Sequence, residues 1–107
     1  MVAPDPLRIA LVAPLFESIP PAMYGGTERV VYNLTEELVR MGHDVTLFAS
    51  GDSQTSARLE PMCEKATRLD ADCKEPVAWH VAMVEHLVKE AHRFDIIHNH
   101  IEWLFLP

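Results

Sequence analysis

Two adjacent glycines ahead of a predicted helix form the first stretch of the chain whose residue types could do chemistry. Gly25-Gly26-Thr27-Glu28 lies between a proline-containing loop and a run of residues with helical periodicity. Small residues there leave the backbone N–H groups of the helix start uncovered, and the unpaired amides and partial positive charge of that end suit a phosphate. The alternative interpretation is a tight turn, and the dipeptide by itself leaves both open.

A second stretch, His98-Asn99-His100, ends the last predicted strand. His100 at the strand's carboxyl end could bond a sugar hydroxyl or neutralise developing charge, or it could be a hydrogen-bonded histidine that fixes the loop. His98 lies one pleat deeper on the same face and is expected to be structural. Glu102 could act as an acid/base or bind a ribose, and Thr27 is the expected N-cap of the first helix.

Strand and helix patterns alternate along the chain and indicate what must position these residues. The sequence predicts strands over residues 8–14, 44–49, 59–62 and 95–100, and helices over residues 27–41 and 76–91. Such alternation indicates an α/β fold, with a Rossmann-like parallel sheet flanked by helices. Ligands of such sheets bind beyond the carboxyl ends of the strands, where the glycine pair, residues 51–53 and residues 98–103 would gather.

Helical periodicity also predicts which side of each helix is buried. The expected apolar stripe of the first helix comprises Val30, Val31, Leu34, Leu38 and Met41. The expected stripe of the second helix comprises Val77, Val81, Val84, Leu87, Val88 and Ala91. His80 borders the second stripe and is expected to be a partly buried histidine with its hydrogen bonds satisfied.

Composition excludes several classes of function. The 107 residues carry a net charge of -7 without a cluster of Lys and Arg, which argues against nucleic-acid binding. No apolar run reaches the roughly 20 residues of a membrane span, and the amino terminus does not resemble a secretory signal. Cys63 and Cys73 are expected to be free thiols of a cytoplasmic protein, and no cysteine or histidine spacing suggests a metal site.

Three segments in this order resemble the start of the family-four retaining glycosyltransferases, which have the GT-B fold. They are RIALVAP, GGTERVVYNLTEELVRMGHDVTLFASGDS and DIIHNH, and the similarity extends from Arg8 to about Glu102. The resemblance implies transfer of a sugar from a nucleotide-sugar donor, with Gly25 and Gly26 near the donor diphosphate. It also implies a catalytic role for His100 beside the donor sugar, a structural role for His98, and no metal or other cofactor.

The chain departs from that family in lacking the second Rossmann-like half and its E-x7-E segment. Residues 1–107 are therefore expected to form an incomplete amino-terminal, acceptor-side domain, inactive without the carboxyl-terminal donor-binding domain. The acceptor, whether a sugar, a lipid or another small molecule, stays open, as does peripheral contact with a membrane. The alternatives are a GT-B sugar-nucleotide epimerase and a non-catalytic, flavodoxin-like binding module. A nicotinamide-binding half-domain is disfavoured because G-x-G-x-x-G is missing after the first strand.

Overall fold

The computed structural model describes residues 5–101 of the chain. Its strands are β1 (Arg8–Val12), β2 (Asp44–Ser50), β3 (Arg58–Cys63) and β4 (Ile96–Asn99), and its α-helices are α1 (Gly26–Arg40) and α2 (Pro76–Glu90). Short 3-10 turns cover Thr67–Leu69 and Ala91–Arg93. The strands form one parallel sheet in the order β3-β2-β1-β4, which confirms the predicted Rossmann-like α/β fold.

The strand order reverses at β1. From β1 the chain crosses to β2 and then β3 on one side, whereas β4 pairs with the opposite edge of β1. In the register of the sheet, Val12 of β1 is opposite Phe48 of β2 and Asn99 of β4. The carboxyl ends of β1 and β4 are therefore neighbours at the point where the two crossover directions diverge.

The two helices cover opposite faces of the sheet, which explains the uninterrupted apolar sequence of residues 9–12 in β1. One face carries a cluster that includes Ile9, Leu11 and Val31 and is packed by α1. The other face carries Ala10, Val12, Phe48, Met83 and Leu87 and is packed by α2. Alternate residues of β1 thus enter different cores, and neither face of this strand is left to water.

The predicted apolar stripe of α1 is partly wrong. Val31 is completely buried, but Val30 and Met41 are more than half exposed. The buried face of the helix includes Thr35, whose hydroxyl donates a hydrogen bond to Val31 O at 2.7 Å. Because that bond satisfies its only donor within the helix, Thr35 can occupy a core position that a hydrophobicity pattern assigns to an apolar residue.

The predicted stripe of α2 is partly wrong: Val84 and Leu87 are buried as expected, but the helix is rotated relative to the rest of the prediction. Val77, Val81 and Val88 are each more than half exposed. The buried residues are His80, Met83, Val84 and Leu87. The sequence of α2 offers two overlapping apolar faces, and the helix is turned so that the face containing His80 enters the sheet.

The ends of α1 differ in how well the sequence predicted them. Thr27 is not the N-cap, since the helix begins at Gly26 with Gly25 at the cap and without a side-chain capping bond. The carboxyl end, at Arg40, lies within one residue of the predicted end at residue 41: Gly42 follows with a φ of 93°, and its N–H bonds to Val39 O. Within residues 5–101, no helix combines the length and the apolar character needed to cross a membrane.

Candidate active site

A pocket of ≈ 190 Å³ opens at the point where the strand order reverses. Its walls come from four elements: the loop after β1, the first turn of α1, the first turns of α2 and the end of β4. The lining residues are Pro14, Phe16, Thr27, Glu28, His80, His100 and Ile101. Open α/β sheets bind their ligands at this topological position, because the diverging loops leave a crevice there.

The loop between β1 and α1 is tied down by the segment that follows β2. The Ile19 N–H donates to Ser53 Oγ at 2.9 Å, and the Gln54 N–H donates to Ile19 O at 2.7 Å. The carboxylate of Asp52 accepts bonds from Ser50 Oγ and from the Ala66 N–H. The sequence placed residues 51–53 among the possible ligand loops. In the structure, the polar side chains of Asp52 and Ser53 make hydrogen bonds within the fold.

Gly25 and Gly26 differ in what the fold requires of them. Gly25 has a φ of 147°, a conformation that residues with a side chain rarely adopt, and an added Cβ would lie 3.0 Å from Pro21 Cβ. An added Cβ at Gly26 would meet no atom within 4 Å. The structure explains a glycine at position 25 by backbone geometry, whereas the open space at Gly26 leaves room for something outside the chain.

The backbone at the start of α1 presents unpaired donors. The first hydrogen bond of this turn runs from the Arg29 N–H to Gly25 O at 2.9 Å. The N–H groups of Gly26, Thr27 and Glu28 precede it and have no acceptor within the helix. Thr27, which the sequence named as a possible site residue, is exposed and lines the pocket.

His100 lies just beyond the carboxyl end of β4, and one of its ring nitrogens makes no hydrogen bond to the described residues. Its backbone N–H donates to Val12 O at 2.9 Å, which fixes it beside the end of β1. Within the described part of the chain, its buried Nε2 atom has no hydrogen-bond partner. Burial lowers the pKa of His100 and the neighbouring His98 lowers it further, so the ring is neutral near pH 7.

His98 contacts the His100 ring at a centroid separation of 4.2 Å and an angle of 31°. The two rings share a face of β4 because their positions differ by two residues. His98 itself is exposed. The contact supports the orientation of the His100 ring, and of the two histidines it is His100 that lines the pocket. Glu102, another residue considered for the site, lies outside the described residues.

His80 is a pocket residue that the sequence assigned to a purely structural position. It is completely buried rather than partly buried. Nε2 accepts a hydrogen bond from the Leu15 N–H at 2.9 Å, and Nδ1 donates to Pro76 O at 2.7 Å, which defines a neutral tautomer. The Phe16 ring lies 4.7 Å away, centroid to centroid. His80 thus joins α2 to the loop after β1 and forms part of the pocket wall.

Glu28 is the second residue that sequence reasoning missed. It lies in the first turn of α1, is 8% exposed and lines the pocket with His100. Its charge also interacts favourably with the positive end of the helix. The signal that could have found it was its place two residues after the glycine pair, at the end of the loop that follows a buried strand.

Residues 24–107 match the family model described as Glycosyltransferase Family 4. The chain belongs to glycosyltransferase family 4. A similar solved structure is the crystal structure of AviGT4, a glycosyltransferase involved in avilamycin A biosynthesis. The TM-score is 0.55 at 24% sequence identity, and the match covers 95% of this chain and 29% of the AviGT4 chain. At that identity the likeness shows the fold. No curated protein matches the sequence.

The family-four match contains the glycine pair, Glu28, His98 of β4 and His100 directly after this strand, whereas β1 precedes the match. The structure brings the first turn of α1 and His100 to one pocket, and residues 51–53 do not line that pocket. Over residues 5–101, no group of three or more His, Cys, Asp and Glu side chains is arranged to hold a metal ion. The chemistry available here is hydrogen bonding by backbone amides, a neutral imidazole and a carboxylate.

Proposed function

We propose that this family-four chain is the amino-terminal, acceptor-side part of a retaining GT-B glycosyltransferase that moves a hexosyl group from a nucleotide-sugar donor to an acceptor. The donor-binding domain would be a second Rossmann-like half, in keeping with the 29% of the AviGT4 chain that the match covers. Two free thiols, Cys63 and Cys73, favour the cytoplasm as its compartment. The acceptor would enter from the side of the loop after β1.

The observation that carries this proposal is the meeting of two unsatisfied groups in one pocket. The amide end of α1, with open space at Gly26, borders the pocket that contains the unpartnered Nε2 of His100. A nucleotide sugar has a diphosphate for the first group and sugar hydroxyls for the second. The amides would bind the diphosphate, and the neutral imidazole would exchange a hydrogen bond with a hydroxyl of the transferred sugar.

Such an arrangement would accelerate transfer by acting on the leaving group. The diphosphate gains negative charge as the bond between the anomeric carbon of the sugar and the phosphate oxygen breaks. Fixed N–H dipoles stabilise that developing charge more than they stabilise the bound donor. Removal of one comparable donor in other enzymes lowers turnover by roughly 100-fold or more. No metal is needed in this scheme, since the helix end supplies the positive potential.

The test is a binding and turnover assay on the full-length protein with UDP, GDP and dTDP and their hexose conjugates. Isothermal titration should show binding of one nucleoside diphosphate series, and donor turnover should follow in the presence of an acceptor mixture. His100→Ala should reduce turnover more than His98→Ala, which is its matched control on the same face of β4. Failure of every series to bind would overturn the proposal, and the reverse order of the two variants would exchange the roles of the histidines.

A further inference from the structure

We propose that Glu28 is a specificity-determining residue that, together with His100, holds the hydroxyl groups of an uncharged donor sugar and rejects sugars that carry a carboxylate. The inference rests on the proposed function, because it assigns the transferred sugar to this pocket. It adds to that function the class of sugar and the residue that selects it. Two independent features of the structure, one on α1 and one on β4, lead to it.

The first feature is a carboxylate that lines the pocket and has no protein partner among residues 5–101. Glu28 is 8% exposed, yet across residues 5–101 its side chain makes no hydrogen bond or ion pair. Arg29, the next residue in the chain, donates to Pro21 O at 3.4 Å rather than to Glu28. The oxygens of Glu28 are not among the fully buried atoms without a partner, so they stay accessible and can accept hydrogen bonds from a ligand in the pocket.

The second feature is the unpartnered Nε2 atom of His100, which comes from a different element and lines the same pocket. A carboxylate only accepts hydrogen bonds, whereas a neutral imidazole nitrogen accepts or donates according to its tautomer. Hydroxyl groups both donate and accept. Neighbouring hydroxyls on one ring can therefore satisfy Glu28 and His100 together, which neither an apolar ligand nor a phosphate can do.

The shape and the lining of the pocket also suit one sugar ring. Its volume of ≈ 190 Å³ is below the roughly 300–1,000 Å³ of sites for drug-sized ligands, so it accommodates part of a nucleotide sugar. Phe16 and Pro14 supply an apolar wall against which the C–H face of a ring can pack. The diphosphate would then lie outside the pocket, at the open end of α1.

The carboxylate of Glu28 selects by repulsion as well as by hydrogen bonding. A uronic sugar would bring a second carboxylate into a pocket that already holds one, and among the described residues no Lys or Arg lines that pocket to neutralise it. Like charges brought together away from water strongly disfavour a complex. A neutral hexose avoids this cost and gains hydrogen bonds to a charged acceptor.

The experiment compares neutral and uronic donors with the full-length protein and its Glu28→Gln variant. Isothermal titration with UDP-glucose, UDP-glucuronate, GDP-mannose and GDP-mannuronate, and with bare UDP and GDP, measures the preference within each nucleotide series. Wild type should favour the neutral sugar, and Glu28→Gln should reduce that preference by roughly tenfold or more, while bare nucleotide binds unchanged. Glu85→Gln, which removes an exposed carboxylate on α2, is the matched control and should change nothing.

The outcomes separate the two proposals. An unchanged preference in Glu28→Gln, with nucleotide binding intact, overturns the role of Glu28 alone. Equal tightening of all ligands, bare nucleotides included, also overturns it, since Glu28 would then act only on the diphosphate. Absence of any nucleotide binding in wild type overturns the proposed function and this inference with it. Should Glu28→Gln fail to fold, Glu28→Asp keeps the charge and is expected to keep the rejection of uronic donors.

Discussion

Substitution of the two adjacent glycines, one at a time, should move stability in opposite directions. Gly25→Ala forces a side chain onto a backbone with a φ of 147° and places its Cβ 3.0 Å from Pro21 Cβ. Gly26→Ala adds a Cβ at the first position of α1, where no atom lies within 4 Å. If position 26 must also stay small to admit a ligand, a side chain there should weaken donor binding even though it does not destabilise the fold.

The expected magnitudes follow from these geometries. A residue with a side chain in the conformation of Gly25 costs about 1–3 kcal/mol. A glycine replaced by alanine where the backbone tolerates it stabilises by about 0.4–1 kcal/mol, mainly because the unfolded chain loses freedom. The free energies of unfolding of the two variants should therefore differ by about 1.5–4 kcal/mol. The bulkier Gly26→Val should leave the fold intact and lower kcat by roughly 100-fold, the loss expected when amide donors are blocked.

The assay is urea unfolding of the full-length protein followed by circular dichroism, alongside donor titration and turnover. Gly25→Ala should shift the unfolding midpoint to lower urea, and Gly26→Ala should leave it unchanged or raise it. A destabilised Gly26→Ala would mean that the space at position 26 belongs to the fold, which refutes the structural argument. A stable Gly26→Val with wild-type turnover would refute the diphosphate role of this helix end.

Three further predictions concern single side chains. Burial and then the adjacent His98 hold the pKa of His100 below 6.5, so the unfolded chain takes up a proton that the folded chain resists. The free energy of unfolding should fall as the pH drops below about 6.5 and level off below the folded pKa. Urea unfolding at a series of pH values should show a weaker dependence of this free energy on pH for His100→Gln than for wild type. An equal dependence would contradict the assignment. His80→Ala should lower the free energy of unfolding by about 2–4 kcal/mol, because it leaves the Leu15 N–H without its acceptor and opens a cavity. The control His92→Ala, at an exposed position, should change the free energy of unfolding by less than about 0.5 kcal/mol. Burial, and next the charge of Asp52, raises the pKa of Cys63 to about 11, so iodoacetamide at pH 8 should label it far more slowly than a cysteine in an unstructured peptide; equal rates by peptide mass spectrometry would count against this environment.

Sequence patterns predicted the elements well where a local rule decides the structure. Residues 9–12 are apolar without interruption, and this part of β1 is indeed buried on both faces. Gly42 ends α1 with a positive φ, as a glycine after the last helical turn should. The short strand expected near residues 59–62 exists as β3. The glycine pair and the histidine motif of the last strand, taken together, also led to the family.

The faces of the helices could not be predicted in the same way. Helical periodicity marks residues that lie on one side, but α2 has two such sides, and its exposed valines are as apolar as its buried residues. His80 settles the rotation because its ring must reach the Leu15 N–H while bonding Pro76 O. Both contacts are polar, and the one with Leu15 joins residues far apart in the chain, so a hydrophobicity scale gives neither contact any weight.

The sequence by itself determined the order of strands and helices, the turn at Gly42 and membership of the family, because propensity, spacing and motif are local properties of the chain. Only the tertiary structure decided which strand ends are neighbours, since parallel pairing joins segments far apart in the chain. The pairing of β4 with β1 brings His100 to the pocket that Glu28 lines from the first turn of α1. Two polar groups that look unrelated in sequence thereby line one pocket, and across residues 5–101 neither the Glu28 carboxylate nor His100 Nε2 has a hydrogen-bond partner.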